Sequence, residues 1–201
     1  MTTAMAQGRA GHSPRRVDAI VIGVSAGGLE ALSTLLAGFP SGFGLPIIVV
    51  QHLPEGTASQ LAEIFQRRLA LKVYEANDKM EIESGSLYFA PPGYHLLIEP
   101  DRYFALSVDP RLHYSRPSID MLFESAADAW GASLAGVLLT GANADGAAGL
   151  HMIAQAGGLT FVQDPDEAQV DVMPRAALAL FTPTHVLPLA GLREMLLQLD
   201  C

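Results

Sequence analysis

The chain has 201 residues, 50% of them hydrophobic and 16% charged, which indicates one folded core and excludes a disordered protein. Lys and Arg number 12 against 21 Asp and Glu, and the resulting net charge of -9 argues against a nucleic-acid partner, since phosphates would be repelled. The single cysteine, Cys201, excludes an intramolecular disulfide and a cysteine-based metal cluster, and we predict neither a metal nor a cofactor. No segment offers the roughly 18 uninterrupted apolar residues of a membrane span, so we expect a cytoplasmic protein without membrane insertion.

The first predicted elements form a strand and helix series. Residues 1–16 are small and polar and are predicted to be a disordered N-terminal tail, followed by a single domain over residues 17–201. The run VDAIVIG is rich in β-branched residues, which is typical of a strand buried on both faces of a parallel sheet. Apolar residues then recur at helical spacing, LPIIVVQ follows as a second buried strand, and TASQLAEIFQRRL as a second amphipathic helix.

The segment between residues 71 and 108 has a different pattern, with short apolar runs separated by turn residues. We predict short strands here, including a small antiparallel hairpin region at about residues 84–110. Afterwards the alternation returns, with SIDMLFESAADAW, DGAAGLHMIAQAGG, MPRAALALF and LAGLREMLLQL as helices and LAGVLLTG, GLTFVQ and HVLPL as strands. The predicted fold is therefore α/β, a doubly wound and mostly parallel sheet with helices on both faces.

Three polar side chains follow predicted parallel strands. Ser25 follows the first strand, His52 the second, and Asp145 lies in the loop after LAGVLLTG. Because the carboxyl ends of parallel strands meet at one edge of the sheet, we expect these side chains to lie close together. A serine hydroxyl needs a base that titrates near neutral pH, which imidazole supplies, and a carboxylate orients the imidazole. The sequence therefore predicts a serine hydrolase with Ser25 as nucleophile, His52 as base and Asp145 as the orienting residue.

The glycine turn around Ser25 also suggests an oxyanion site. Serine on a sharp strand-to-helix turn projects its hydroxyl, and free N–H groups at the start of the following helix can bind a developing oxyanion. Ala26, Gly27 and Gly28 are the candidate donors.

Each of these residues also has a simpler interpretation. A glycine turn between a strand and a helix can bind phosphate, which makes a nucleotide-binding module an alternative function. A dinucleotide site needs an acidic residue at the end of the second strand, where this chain has Gln51 and His52. His52 by itself could be a structural histidine, and Asp145, which precedes a predicted helix, could be a helix cap.

Six blocks of the sequence resemble the CheB-type chemotaxis receptor methylesterases. They are IGVSAGG, VVQHLP, APPGYHLLIE, SRPSIDMLFESAA, LLTGANADGAAGL and VMPRAAL, and the resemblance extends from Val17 to Leu199. It implies a doubly wound parallel sheet and the hydrolysis of γ-glutamyl methyl esters on the cytoplasmic helices of methylated chemoreceptors, with deamidation of receptor glutamines as an associated activity. It also matches Ser25, His52 and Asp145 to the family's nucleophile, base and third triad member.

The chain departs from the family pattern in its loops. The family commonly has S-T-G-G and T-G-M-G-x-D-G, whereas this chain has Ala26, Ala142 and Asn143 in place of threonine, methionine and glycine. By resemblance, Ala26, Gly27, Ala142 and Asn143 form the oxyanion and substrate loop. A catalytically impaired signalling relative is therefore an alternative. Family members usually carry an N-terminal receiver domain, and we expect none within this chain.

Further residues near the predicted site are given roles by position. Arg116 and Ser118 precede a predicted helix, and they either line a substrate entrance or hold their loop through hydrogen bonds. His95 and His113 are predicted to be surface residues of a flap, with no metal site assigned to them. Met173, beside a proline, is interpreted as a structural helix entry.

Overall fold

Nine strands, six α-helices and one short 3-10 helix (Gly131–Ser133) occur along residues 16–53 and 59–200, which are the residues that the computed structural model describes. The tail predicted for residues 1–16 lies, apart from Arg16, outside this part of the chain. The strands are β1 (Ala19–Val24), β2 (Ile47–Gln51), β3 (Lys72–Glu75), β4 (Ser86–Phe89), β5 (His95–Ile98), β6 (Phe104–Ser107), β7 (Leu134–Leu138), β8 (Leu159–Gln163) and β9 (His185–Leu187). The helices are α1 (Gly28–Leu35), α2 (Leu61–Gln66), α3 (Ile119–Trp130), α4 (Ala147–Gln155), α5 (Val172–Leu180) and α6 (Leu189–Gln198).

Seven of these strands form one parallel sheet in the order β3-β4-β2-β1-β7-β8-β9. The central strand β1 pairs with β2 on one side and β7 on the other, so that Val21 lies opposite Ile48 and Gly136. Every residue of these three strands is buried, which explains their continuous apolar sequences and confirms the prediction that they are covered on both faces. The carboxyl ends of β2, β1 and β7 consequently lie side by side at one edge of the sheet.

Helices cover both faces of the sheet, as predicted for a doubly wound fold. Helices α1, α2 and α6 pack on one face around Leu32, Phe65 and Leu192, and α3, α4 and α5 pack on the other around Phe123 and Leu150. Each fully buried side chain of this size contributes about 1.5–3 kcal/mol to folding. The longest described helix, α3, has 12 residues, and none in this part of the chain is long and apolar enough to cross a membrane.

The close contact between α3 and α4 requires a glycine. A Cβ atom on Gly149 would lie 2.6 Å from the Cβ atom of Phe123 and 2.9 Å from the carbonyl oxygen of Asp120. Any larger residue would therefore force the two helices apart. This approach brings the loop between β7 and α4 against the first turn of α3.

The region between residues 71 and 108 differs in part from the prediction. Strands β3 and β4 are parallel members of the main sheet, and only β5 and β6 form the antiparallel hairpin, with His95 opposite Ser107. The predicted hairpin region of residues 84–110 therefore begins too early, because it includes β4. Strands of four residues carry too short an apolar pattern to reveal which neighbour they pair with or in which direction.

Candidate active site

Ser25 and His52 are held close together by the pairing of their strands. Val24 and Gln51 lie opposite each other at the ends of β1 and β2. Ser25 directly follows Val24, and His52 directly follows Gln51. The pairing continues past the strand ends, because the His52 N–H donates to the Val24 carbonyl at 3.1 Å. The Ser25 Oγ atom lies 3.2 Å from His52 Nδ1, within reach of a hydrogen bond.

The other ring nitrogen of His52 faces a carboxylate. His52 Nε2 lies 2.8 Å from Asp145 Oδ2, so a proton on Nε2 leaves Nδ1 free to accept the proton of the Ser25 hydroxyl. Rotating the ring by half a turn would place carbon atoms at both contacts, and the partners therefore determine its orientation. The structure thus brings together the three residues predicted from strand ends.

The carboxylate of Asp145 is buried and accepts hydrogen bonds from the start of α3. Its oxygens accept from the Ser118 hydroxyl at 2.8 Å and from the N–H groups of Ile119 at 2.8 Å and Asp120 at 3.0 Å. Burial raises the pKa of Asp145, but the bonds from His52 and from these two N–H groups outweigh it, and the pKa lies below its ordinary value. The carboxylate therefore stays ionised beside the imidazole.

The alternative role of Asp145 as a cap of its own helix is wrong. The N-cap position of α4 is Gly146, and no side chain there accepts a hydrogen bond. Asp145 instead serves the N-terminus of α3, where the aligned N–H groups favour a negative charge. Sequence reasoning missed this because α3 precedes Asp145 by more than a dozen residues and meets it only through the α3–α4 contact.

Gln51, which sequence reasoning did not single out, links the nucleophile to the base. Its Nε2 atom donates to the carbonyl oxygens of Ser25 at 3.0 Å and His52 at 2.8 Å. A Cβ atom on Gly28 would overlap Oε1 of the same carboxamide, so glycine is needed at the first position of α1. The only sign of this role in the sequence was a glutamine next to a histidine at the end of a predicted buried strand.

The candidate oxyanion donors divide into two groups. The N–H of Gly28 already donates to the Ser25 carbonyl at 2.9 Å, so its predicted role as a donor to substrate is wrong. Within the described residues, the N–H groups of Ala26, Gly27, Ala142 and Asn143 have no acceptor. These four groups lie in the two loops that leave β1 and β7, and their hydrogen-bonding capacity is not used within this part of the chain.

Two predictions for residues next to the triad have different outcomes. His95 is fully buried, so its prediction as a surface residue is wrong: its Nδ1 accepts from the Ser118 N–H at 3.1 Å and its Nε2 donates to the Pro110 carbonyl at 3.2 Å. Met173 does lie at the entry of a helix, where it is buried and its N–H donates to the Gly141 carbonyl at 3.0 Å. Both residues hold loops of the candidate site in place.

Of the two roles that the sequence allowed for Arg116, lining a substrate entrance or holding its loop, the structure shows the second. One of its terminal nitrogens donates to the carbonyl oxygens of Val108 at 2.8 Å and Asp109 at 3.1 Å. The same residue also lines a small cavity beside His52. Ser118, its companion in the prediction, points inward to Asp145 and is buried.

A second carboxylate, Asp120, lies buried beside the triad. Its Oδ1 accepts from the Gly149 N–H at 2.7 Å, and its Oδ2 lies 3.2 Å from Nε2 of His113, whose side chain is 41% exposed. Ligand atoms of His113, Asp120 and Asp145 lie within 4.8 Å of one another, but each of them is already paired within the protein. Burial raises the pKa of Asp120, the Gly149 N–H opposes this, and the charge of Asp145 adds to it.

Replacing Asp120 with asparagine is expected to remove a loss of stability with rising pH. Because the folded-state pKa of Asp120 is raised above its ordinary 3.8, the folded protein binds more protons than the unfolded chain as pH increases from that value, and its free energy of unfolding falls. Asparagine has no proton to lose and still offers an oxygen to Gly149. Urea unfolding between about pH 3 and pH 8 measures this, and an unchanged pH dependence in the variant would contradict the assignment.

Comparison with known proteins places the whole arrangement in a family. A putative protein-glutamate methylesterase/protein-glutamine glutaminase of Leptospira interrogans is 47% identical, covering 91% of this chain and 95% of that protein. Protein-glutamate methylesterase FrzG of Myxococcus xanthus is 37% identical over 94% of this chain, which spans 57% of that protein. The crystal structure of the Thermotoga maritima CheB methylesterase catalytic domain matches with a TM-score of 0.86 and 31% identity, covering 91% of this chain and 98% of that one. The CheB methylesterase family model matches residues 20–196, and the chain therefore belongs to the CheB methylesterase family.

Proposed function

We propose that this protein is a serine hydrolase that removes methyl groups from γ-glutamyl methyl esters on the cytoplasmic helices of chemoreceptors, and that it deamidates receptor glutamines by the same route. The observation that carries the proposal is the chain of contacts from Ser25 Oγ to His52 Nδ1 at 3.2 Å and from His52 Nε2 to Asp145 Oδ2 at 2.8 Å. From this substrate we infer a cytoplasmic location.

The first half of the reaction transfers the acyl group to the enzyme. Ser25 Oγ attacks the γ-carbonyl carbon while its proton passes to His52 Nδ1, and the ionised Asp145 stabilises the imidazolium that forms. The N–H groups of Ala26 and Gly27, at the start of α1, bind the oxyanion together with those of the loop after β7. The bond from carbon to the methoxy oxygen then breaks, and the proton on Nδ1 moves to that oxygen to give methanol.

Water completes the cycle. His52 takes a proton from a water molecule, whose oxygen attacks the acyl carbon, and this proton passes to Ser25 Oγ as the bond to the acyl carbon breaks. The glutamic acid side chain that leaves releases the second proton of the water to solvent. With a glutamine substrate the leaving group is ammonia instead of methanol, and the later steps are identical. No cofactor is needed for either reaction.

A larger cavity next to Ser25 suits the flanking part of a receptor helix. It has a volume of ≈ 430 Å³, and Leu29, Leu53, Leu61 and Ile64 form its apolar wall. Residues three or four positions from a glutamyl group lie beside it on the same face of a helix, so an apolar residue at such a position would lie next to this cavity when the ester reaches Ser25. We infer that one such side chain enters this cavity while the ester reaches Ser25.

The proposal is tested with purified protein and a receptor cytoplasmic fragment that carries methyl-labelled glutamyl esters. We expect labelled methanol to be released with multiple turnovers, and we expect mass spectrometry after acid quenching to find a glutamyl adduct on the peptide that contains Ser25. Binding of the fragment without methanol release or adduct would favour the impaired signalling relative, for which Ala142 and Asn143 were the sequence indication.

A further inference from the structure

Thr140, directly after β7, connects three loops at the edge of the sheet that carries the triad. It is buried, and its carbonyl oxygen accepts from the Ser25 N–H at 3.0 Å. Its hydroxyl oxygen lies 2.9 Å from the carbonyl oxygen of Ala26 and 3.1 Å from that of Val170, and it accepts from the Val170 N–H at 2.9 Å. A hydroxyl donates and accepts at once, so this one side chain joins the loops that leave β1, β7 and β8.

The hydroxyl proton of Thr140 belongs to the bond with Ala26. A threonine has a single proton to donate, and two carbonyl oxygens lie within reach of it. The Val170 carbonyl already accepts from the Gly141 N–H at 3.0 Å, whereas the Ala26 carbonyl has no other donor among the described residues. The threonine hydroxyl is thus the group that fixes the direction of the Ala26 carbonyl.

The Ala26 carbonyl shares a peptide unit with the N–H of Gly27, one of the unused donors of the site. A trans peptide is planar, and its C=O and N–H bonds point in opposite directions. Holding the carbonyl toward Thr140 therefore directs the N–H away from Thr140. Gly27 lines the cavity that contains Ser25 and also a second cavity, of ≈ 300 Å³, that contains Thr140, so it lies between the two.

This peptide unit has little else to hold it. Gly27 has a φ of 80° and no Cβ atom, and glycine passes readily between positive and negative φ, so a peptide next to it can turn over. The preceding unit is held in the same manner by its own carbonyl, since the Ser25 carbonyl accepts from Gln51 Nε2 at 3.0 Å and from the Gly28 N–H at 2.9 Å. Only the Thr140 hydroxyl does this for the Ala26 carbonyl among the described residues.

We propose that Thr140 is a positioning residue of the oxyanion site, whose hydroxyl holds the Ala26 carbonyl so that the Gly27 N–H stays directed at the substrate oxygen. This inference rests on the proposed function. Thr140 does not touch the substrate and acts through Gly27. A donor that is already in place when the negative charge develops stabilises the transition state more than the bound ester, so its fixation raises kcat and leaves KM almost unchanged.

The test uses a receptor-derived peptide with a glutamyl γ-methyl ester, and the same peptide with a trifluoromethyl ketone in place of the ester. Ser25 Oγ adds to the ketone carbon to give a tetrahedral adduct with an oxyanion, so the inhibition constant reports on the oxyanion site. For Thr140→Val, which removes the hydroxyl at nearly constant volume, we expect kcat to fall by about tenfold to a hundredfold and the inhibition constant to rise by a similar factor. KM should change by less than about twofold.

Two further variants at the same position separate the hydroxyl from the packing of the side chain. Thr140→Ser keeps the hydroxyl and should restore most of the wild-type kcat and inhibition constant. Thr140→Ala removes the hydroxyl without placing a methyl group beside the two carbonyl oxygens, and should show the same losses as Thr140→Val. KM and the inhibition constant are concentrations, so an unfolded fraction of any variant changes neither.

Thr160→Val is the matched control. Thr160 is equally buried, and its hydroxyl accepts from the Thr184 N–H at 2.9 Å, just as that of Thr140 accepts from the Val170 N–H. It lies near the start of β8, at the edge of the sheet opposite the triad. We expect a loss of stability similar to that of Thr140→Val, with kcat and the inhibition constant unchanged.

A Thr140→Val protein that loses stability as Thr160→Val does, but keeps its kcat and its affinity for the ketone, would show that Thr140 only joins loops. A rise in KM equal to the rise in the inhibition constant would place its effect on substrate binding. Either result would overturn the inference and leave the proposed function intact. A wild-type protein that releases no methanol would overturn the proposed function itself.

Discussion

Replacing Ser25 with alanine is expected to lower kcat/KM for methanol release by a factor on the order of 10⁴ to 10⁶. The hydroxyl oxygen is the atom that forms the acyl-enzyme, and alanine leaves His52 with no nucleophile to deprotonate. The N–H groups of the oxyanion loops would remain and could support only residual hydrolysis by water. Methanol release from the labelled receptor fragment measures the loss.

The fold should survive this change. Among the described residues, the Ser25 side chain has one hydrogen-bond partner, His52, and it is only partly buried, so the free energy of unfolding should change by less than about 1 kcal/mol. Ser33→Ala is the matched control, since Ser33 lies in α1, where its hydroxyl donates to the carbonyl of Leu29 and accepts from Arg68 at 2.9 Å, with no contact to the triad. A Ser25→Ala protein with wild-type turnover would end the hydrolase proposal.

Replacing Asp145 with asparagine should cost both activity and stability. Each carboxylate oxygen accepts from two donors, Oδ1 from Ser118 and Asp120 and Oδ2 from His52 and Ile119. An amide nitrogen in place of either oxygen therefore faces two donors with its own hydrogens. We expect kcat/KM to fall by a factor on the order of 10⁴, because Nε2 of the imidazole loses its acceptor and Nδ1 is no longer kept free of a proton. We expect the free energy of unfolding at pH 7 to fall by about 2–4 kcal/mol.

The stability effect of Asp145→Asn should depend on pH in a defined direction. The folded-state pKa of Asp145 lies below its ordinary 3.8, so its ionised form stabilises the fold above that value, and this stabilisation is lost as pH falls through the lowered pKa. The difference in unfolding free energy between wild type and variant should therefore shrink below about pH 4. Denaturant unfolding at several pH values measures it, and a difference that grows toward acid would contradict the assignment.

The triad could be predicted from the sequence because each member follows a strand buried on both faces. Continuous apolar runs identify such strands, and parallel strands place their carboxyl ends at one edge. Ser25 and His52 follow strands that are successive in the chain and paired in the sheet. The sequence does not reveal that β7, which supplies Asp145, is the other neighbour of β1, because that pairing forms between segments more than a hundred residues apart.

The surroundings of the triad could not be predicted for related reasons. The donors that hold Asp145 belong to the start of α3, and they reach it only because Gly149 lets α3 and α4 pack closely. His95 was predicted at the surface from its residue type alone, yet it bridges Pro110 and Ser118 inside the protein. Contacts of this kind depend on tertiary packing, which local patterns do not record.

The register of β1 against β2 also has a consequence for protein design. Because Ser25 and His52 each follow a hydrogen-bonded strand end, their spacing is set by the backbone ladder and not by long, adjustable side chains. A designer could transfer the Ser25–His52 pair to another parallel sheet by copying two adjoining strand ends, the glycine at the first position of the next helix, and the glutamine that donates to both carbonyl oxygens. The carboxylate would then be the one component that has to be built anew from the recipient scaffold.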